Sequence, residues 1–126
     1  MELLKSGKGQ RKPDRPLAWH AIADLFGCEP SLLKRREDGE RLVREAAEQA
    51  GLQPVSVISH QFEPEGYTAV VLLTESHLSL HTWPECGSAL IDVCSCGELT
   101  AVERAIDVLL AALVPVRCER KLLSRG

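Results

Sequence analysis

The chain has 126 residues, of which 44% are hydrophobic and 26% are charged, which suits one globular domain and excludes a disordered chain. A formal net charge of -3 argues against a nucleic-acid-binding protein, and no apolar run is long enough to cross a membrane. The start of the chain lacks the pattern of a secretory signal, so we expect a cytoplasmic protein, and five cysteines, an odd number, do not indicate a disulfide framework.

The first half of the chain predicts a tail, a strand and a helix. Basic residues spread among Gly, Ser and Pro predict a flexible tail over residues 1–15, followed by a single domain over residues 16–126. Leu17 to Ala23 predicts a strand, and Asp24 to Pro30 predicts a turn region. Apolar residues at helical spacing predict a helix from Glu37 to Ala50, which Gly51 ends.

The middle of the chain predicts four strands. Val55 to Phe62 and Tyr67 to Thr74 have strand character, and the turn signal Glu63-Pro64-Glu65-Gly66 joins them. Two further strands are predicted over His77 to Trp83 and Ala89 to Cys94.

A second helix and a last strand are predicted at the end of the chain. Thr100 and Glu103 have capping-box spacing, and apolar residues then recur at helical spacing. Pro115 stops this helix, and Val116 to Leu122 predicts a strand.

These elements predict an α+β two-layer sandwich, a mostly antiparallel sheet with two helices on one face. Ala69 to Leu73 (AVVLL) is apolar on both faces of its strand, and such strands are usually covered on both sides. Two helices cover only one face of the sheet. We therefore expect the other face to pack against a second copy in a dimer or larger homo-oligomer.

Reactive side chains concentrate in Glu75 to Glu85 (ESHLSLHTWPE) and Cys94 to Gly97 (CSCG). A zinc site is disfavoured, because His77 and His81 lie about 13 Å apart on a strand. Cys94 and Cys96 are expected on one face of one strand and could join such a site, but the sequence has no second ligand pair. A serine hydrolase is disfavoured too, because Ser76 lacks a glycine-flanked elbow.

Structural roles are the simpler interpretation of some of these side chains. A lone histidine or cysteine on a strand is more often structural than catalytic, and we interpret His77, Ser79 and Cys94 in this way. The residue pattern alone leaves Ser76, His81 and Cys96 undecided between structural and catalytic roles.

The same segments resemble the processing and active-site region of the prokaryotic S-adenosylmethionine decarboxylases, which are pyruvoyl-dependent and made as proenzymes. The resemblance includes FEPEGYTAVVLL (Phe62 to Leu73), HAIADLFGC (His20 to Cys28) and the helix after Gly97, and it covers about Ala18 to Leu123.

The resemblance implies self-cleavage between Glu75 and Ser76, into a β chain of residues 1–75 and an α chain of residues 76–126. Ser76 becomes the pyruvoyl group, which forms a Schiff base with the substrate. His81 matches the processing base, Thr68 matches a hydroxyl residue that assists processing, and Cys96 matches the proton donor. The Thr68-Ala69 pair stands where the family more often has serine and glycine.

The resemblance also implies the substrate and its contacts. Glu85 matches the carboxylate that binds the ribose hydroxyls of S-adenosylmethionine, and Phe62 matches the aromatic ring that stacks on its adenine. The implied product is the aminopropyl donor for spermidine synthesis, and the ligand spacing given above predicts no metal site. A pyruvoyl-dependent ornithine or arginine decarboxylase is an alternative, as is a non-catalytic thiol or metal-binding domain.

One requirement follows from strand geometry. Ser76 and His81 are five residues apart, so a continuous strand places them on opposite faces. The implied mechanism therefore requires either a bend in the chain near Glu75 to His77 or a partner residue supplied across a dimer interface.

Overall fold

The structure is a computed structural model that describes residues 12–126, so residues 1–11 of the predicted tail lie outside the described part. The described chain contains β1 Ala18–Phe26, α1 Arg36–Gln49, β2 Pro54–Gln61, β3 Tyr67–Leu73, β4 Ser76–Trp83, β5 Ser88–Ser95, α2 Leu99–Leu113 and β6 Arg117–Arg125. The strands form one antiparallel sheet in the order β2-β3-β4-β5-β1-β6. This confirms the predicted α+β fold.

Three predicted boundaries were wrong, one of them the end of β6, which lies at Arg125 and not at the predicted Leu122. β1 continues through Phe26, beyond the predicted end at Ala23, because it pairs with β5 on one side and β6 on the other. α2 begins at Leu99, so Thr100 lies inside the helix and does not cap it. Glu98 is the N-cap residue, and its backbone carbonyl accepts hydrogen bonds from Ala101 and Val102.

Both helices pack on one face of the sheet. α1 contacts β2, β3 and β4, and α2 contacts β1 and β5. In β3, the residues that alternate toward the helices, from Tyr67 to Leu73, are buried, as period-two alternation requires. Gly39 lets α1 approach closely, because a Cβ atom there would lie 2.1 Å from the ring of Tyr67.

The opposite face of the sheet, here called the open face, has no covering layer in residues 12–126. Its exposed apolar side chains include Ile58, Leu72, Leu90 and Leu123, and Leu72 is 52% exposed. Within the described residues, no helix combines the length and apolarity that a membrane crossing requires. The prediction that β3 is apolar on both faces is confirmed, and the open face is where a covering partner is expected.

Candidate active site

The turn between β3 and β4 holds the predicted cleavage site. Thr74 and Glu75 form this two-residue turn, and Ser76 begins β4. Ser76 has a φ angle of 139°, a region that residues with a side chain rarely adopt. Such a conformation costs about 1–3 kcal/mol and persists only where the surrounding structure fixes it. Pairing fixes it here, because Ser76 lies opposite Leu73 on β3 and opposite Ser95 on β5.

The chain after β5 bends back toward this turn. The backbone N–H of Cys96 donates a hydrogen bond to the carbonyl oxygen of Glu75, at 3.1 Å. That carbonyl belongs to the peptide bond between Glu75 and Ser76. The N–H of Gly97 donates to the Ser95 hydroxyl at 3.0 Å, and a Cβ on Gly97 would lie 2.8 Å from a carboxylate oxygen of Glu75. The structure thus brings together Glu75, Ser76 and Cys96.

A cavity of about 540 Å³ lies at the other end of the β3–β4 pair. Four predicted site residues and one further aromatic residue are among those that line it: Phe62, Thr68, His81, Glu85 and Trp83. Thr68 Oγ1 and His81 Nδ1 are 3.1 Å apart, which is hydrogen-bonding distance. They meet because Thr68 of β3 pairs directly with His81 of β4, and their side chains point to the same face.

The loop that carries Phe62 is fixed by hydrogen bonds. The Gln61 side-chain amide donates to the carbonyls of Lys34 and Gly66, both at 2.8 Å, and the Phe62 N–H also donates to Gly66. The Phe62 ring is 47% exposed, and the ring of His60 contacts it in an edge-to-face arrangement with centroids 4.9 Å apart. The ring of Phe62 is therefore held in place with much of its surface free for a ligand.

The two groups of residues do not meet within one chain. β4 is continuous from Ser76 to Trp83, so Ser76 and His81 are separated by about 16 Å along the strand. Register puts Ser76 opposite the buried Leu73 and Ser95, whereas His81 lies on the open face. The prediction that a bend near Glu75 to His77 brings Ser76 and His81 together was wrong. The chain reverses at Thr74 and Glu75, before β4 begins, and β4 then contains both residues. The other prediction, a partner residue across a dimer interface, stays a prediction.

A polar network occupies the open face between these groups. The Asp92 carboxylate accepts a hydrogen bond from the Ser79 hydroxyl and contacts His20 Nε2 at 2.9 Å and His77 Nε2 at 3.1 Å. Partial burial raises the pKa of Asp92, but the hydrogen bonds with Ser79, His20 and His77 outweigh it, and the net pKa lies below its usual value. Arg125 Nη1 lies 3.0 Å from His20 Nδ1.

The cysteines and histidines of the predicted segments do not form a metal site in the described part of the chain. Cys94 pairs with both His77 and His20 on neighbouring strands, whereas Cys96 follows the end of β5 and is exposed. The two cysteines therefore do not share a strand, contrary to the sequence interpretation. Among residues 12–126, no group of three His, Cys, Asp or Glu side chains is arranged to hold a metal ion.

Sequence reasoning missed Trp83, Asp92 and Ser95 as members of this region. The alternation of β4 already placed Trp83 on the face of His81, so this signal was present in the sequence. Asp92 and Ser95 required the register of β5 against β4, which pairs Asp92 with Ser79 and Ser95 with Ser76. That register is a property of the sheet and is not written in either strand alone.

Comparisons with known proteins agree on one family. A family model described as S-adenosylmethionine decarboxylase matches residues 19–126. The chain is 40% identical over 112 residues to the S-adenosylmethionine decarboxylase proenzyme of Hydrogenobaculum sp. (strain Y04AAS1), a match that covers 89% of this chain and 84% of the relative. It is 37% identical over 107 residues to the proenzyme of Archaeoglobus fulgidus, covering 85% of this chain and 96% of that one.

A solved structure supports the same grouping. The crystal structure of the adenosylmethionine decarboxylase from Aquifex aeolicus VF5 superposes with a TM-score of 0.86 at 40% sequence identity. The superposition covers 89% of this chain and 92% of the other.

Proposed function

The chain belongs to the S-adenosylmethionine decarboxylase family, and on that premise we propose that it decarboxylates S-adenosylmethionine with a pyruvoyl group made from its own Ser76. The observation that carries the proposal is the hydrogen bond from the Cys96 N–H to the Glu75 carbonyl, beside a strained Ser76. The product is the aminopropyl donor for spermidine synthesis. The compared proteins give no support to an ornithine or arginine decarboxylase, or to a non-catalytic domain.

Self-cleavage begins with an acyl shift at the Glu75–Ser76 bond. The Ser76 hydroxyl oxygen attacks the Glu75 carbonyl carbon, the carbon–nitrogen bond breaks, and the hydroxyl proton ends on the freed amine. Negative charge develops on the Glu75 oxygen, where the Cys96 N–H already donates. A donor fixed at such an oxygen is among the largest single contributions to acyl-transfer catalysis.

The ester is then cleaved by elimination. His81 accepts the α-proton of residue 76, and the main-chain carboxylate of Glu75 leaves from the β-carbon of residue 76. This step frees the β chain of residues 1–75. Hydrolysis of the resulting dehydroalanine releases ammonia and leaves pyruvoyl at the start of residues 76–126. Thr68 beside His81 Nδ1 orients the ring, so that Nε2 takes the proton.

Residue His81 reaches Ser76 from a second copy of the chain. A two-fold axis that lies between two open faces and crosses β4 makes the two β4 strands antiparallel. The Ser76 end of one strand then lies over the cavity of its partner, with His81 and Thr68. The apolar side chains of the open face support this dimer. In the single chain Ile58 is 67% exposed and Leu123 is 46% exposed, and contact between two open faces would remove such apolar surface from water.

The cavity suits the nucleoside part of the substrate. The exposed face of Phe62 can stack on adenine, and the exposed carboxylate of Glu85 can accept hydrogen bonds from the ribose hydroxyls. Trp83, 41% exposed in the same cavity, adds a second aromatic surface. An amino acid such as ornithine has no purine to stack on Phe62 and no ribose hydroxyls to donate to Glu85.

The region around position 76 fits the reactive group. Position 76 begins a paired strand beside an exposed Cys96, so a carbonyl formed there is held by the sheet and is close to a thiol. When present, a pyruvoyl ketone draws electrons from the substrate as carbon dioxide leaves. The free, exposed thiol of Cys96 returns a proton to the substrate carbon.

Denaturing mass spectrometry of the purified protein tests the proposal. We expect two chains, residues 1–75 and a blocked chain of residues 76–126, and release of carbon dioxide from S-adenosylmethionine but not from ornithine or arginine. Ser76→Ala is the control and should remain one intact, inactive chain. A wild-type chain that stays intact on long incubation would refute the pyruvoyl mechanism. A cytoplasmic location remains a prediction of the sequence.

Co-expression of two variants tests whether the site is shared between subunits. His81→Ala supplies Ser76 and Ser76→Ala supplies His81, so a mixed dimer contains one complete site if the two groups come from different chains. We expect cleavage of the His81→Ala chain, identified by its mass, only in the mixture. If that chain stays intact in a mixture that contains mixed dimers, the site lies within one chain.

A further inference from the structure

Ser95 combines complete burial with a hydrogen bond that fixes the turn of residues 95–97, beside the cleavage site. It is 0% exposed, and its hydroxyl oxygen accepts the N–H of Gly97 at 3.0 Å. On either side, the register pairs it with Ser76 of β4 and with Trp19 of β1. A buried hydroxyl costs free energy unless it is hydrogen-bonded, so its bond to the turn offsets that cost.

This bond controls the direction of the Cys96 N–H. A serine hydroxyl that accepts the N–H two residues later defines a local turn and restricts the backbone angles within it. The ψ angle of Ser95 and the φ and ψ angles of Cys96 lie inside that turn. The orientation of the Cys96 N–H depends on the first of these angles, and this N–H is the donor to the Glu75 carbonyl.

We propose that Ser95 is a positioning residue for self-cleavage, whose hydroxyl fixes the turn of residues 95–97 so that the Cys96 N–H stays directed at the Glu75 carbonyl. The inference rests on the proposed function, since it assigns a part in the acyl shift. Ser95 does not touch the reacting atoms as an acid or base. It acts through the backbone of Cys96, on the step in which charge develops on the Glu75 oxygen.

Three substitutions separate the hydroxyl from the volume it fills. Ser95→Thr retains the hydroxyl on a residue that strands favour, Ser95→Cys retains the volume with a weak acceptor, and Ser95→Ala removes the acceptor. Ser79→Ala is the matched control, because Ser79 is also a buried serine of the same sheet, 6% exposed, but bonds to Asp92 instead of the turn.

Each full-length chain is made by cell-free synthesis, and release of residues 1–75 is followed by denaturing mass spectrometry. Removing an oxyanion donor outright slows acyl transfer by about 10²–10³-fold, and a misdirected donor retains part of that effect. We therefore expect Ser95→Ala and Ser95→Cys to cleave at least about tenfold more slowly than wild type. Ser95→Thr and Ser79→Ala should remain within about threefold of wild type, since the turn bond is kept in both.

Hydroxylamine identifies the step that is slowed, because it cleaves esters and leaves amides intact. We expect hydroxylamine to release no additional β chain from Ser95→Ala, whose Glu75–Ser76 bond should remain an amide. Release of β chain by hydroxylamine would place the defect after the acyl shift and overturn the inference. Thermal melting of each uncut chain shows whether it is folded, and Ser95→Cys and Ser95→Thr provide the comparison if the alanine variant unfolds.

Cleavage of the wild-type chain distinguishes a failure of the proposed function from a failure of the role assigned to Ser95. If wild type does not cleave, the proposed function fails. If wild type cleaves and Ser95→Ala and Ser95→Cys cleave as fast, the proposed function stands and the role of Ser95 is refuted. Slow cleavage of Ser95→Thr, with a melting temperature like that of wild type, would also refute it, because the hydroxyl would then not be sufficient.

Discussion

The φ angle of 139° at Ser76 predicts that glycine stabilises the uncut chain at this position. Ser76→Ala and Ser76→Gly both lack the attacking hydroxyl, so both should remain intact and can be compared as folded proteins. Alanine has a Cβ atom that makes this backbone conformation unfavourable, whereas glycine adopts it without that penalty. Glycine should therefore be the more stable of the two.

The size of the difference follows from two opposing effects. Relief of the strained conformation contributes about 1–3 kcal/mol in favour of glycine. The greater freedom of glycine in the unfolded chain costs about 0.5–1 kcal/mol in a strand. The net expectation is that Ser76→Gly unfolds with a free energy higher by about 1 kcal/mol, or a melting temperature higher by about 3–5 °C.

Thermal and urea denaturation of the two variants at equal protein concentration measure this difference. Glu119 of β6 provides the control, because it is an exposed strand residue whose φ angle is not positive. In the Ser76→Ala background, Glu119→Gly should be less stable than Glu119→Ala by about 0.5–1 kcal/mol. If Ser76→Gly is also less stable than Ser76→Ala, the serine is not strained and the reasoning is wrong.

Three further predictions concern the core, the open face and the thiols. Gly39→Ala should lower the free energy of unfolding by about 1–3 kcal/mol, because the new methyl group meets the Tyr67 ring, although alanine has a higher helix propensity than glycine. Urea denaturation measures this change, and a more stable variant would contradict the close packing of α1 on Tyr67. Asp92→Asn should be less stable than the parent chain at pH 7. Folding lowers the pKa of Asp92, so the stabilisation by its carboxylate is present above the unfolded pKa and is lost as the pH falls through the folded pKa. The difference in melting temperature between the two proteins should therefore narrow below about pH 4, and a difference independent of pH would contradict this. Cys96→Ala should lose far more decarboxylase turnover than Cys94→Ala, because only Cys96 lies beside the cleavage turn; equal losses in the carbon dioxide assay would remove this distinction.

Local patterns were sufficient for most of the elements, and they failed where pairing or backbone competition decided the outcome. The apolar spacing of α2 predicted its existence, but the capping role of Thr100 was wrong because the preceding Glu98 carbonyl already accepts the first backbone N–H groups. β1 was predicted to end at Ala23, yet hydrogen-bonding strands on both sides extend it to Phe26. Strand ends depend on neighbours that a local pattern does not contain.

By itself, the sequence determined the alternation of β4 and the apolar spacing of the helices, and these follow from the geometry of a few consecutive residues. It thereby placed His81 and Trp83 on one face, and its resemblance to a family supplied the expected roles of Ser76, Cys96, Phe62 and Glu85. Only the tertiary structure decided which of these side chains are neighbours. Antiparallel register sets Thr68 beside His81, and the bend after β5 sets the Cys96 N–H against the Glu75 carbonyl. Such contacts join residues far apart in the chain, because they depend on how whole strands align, and no local pattern contains that alignment.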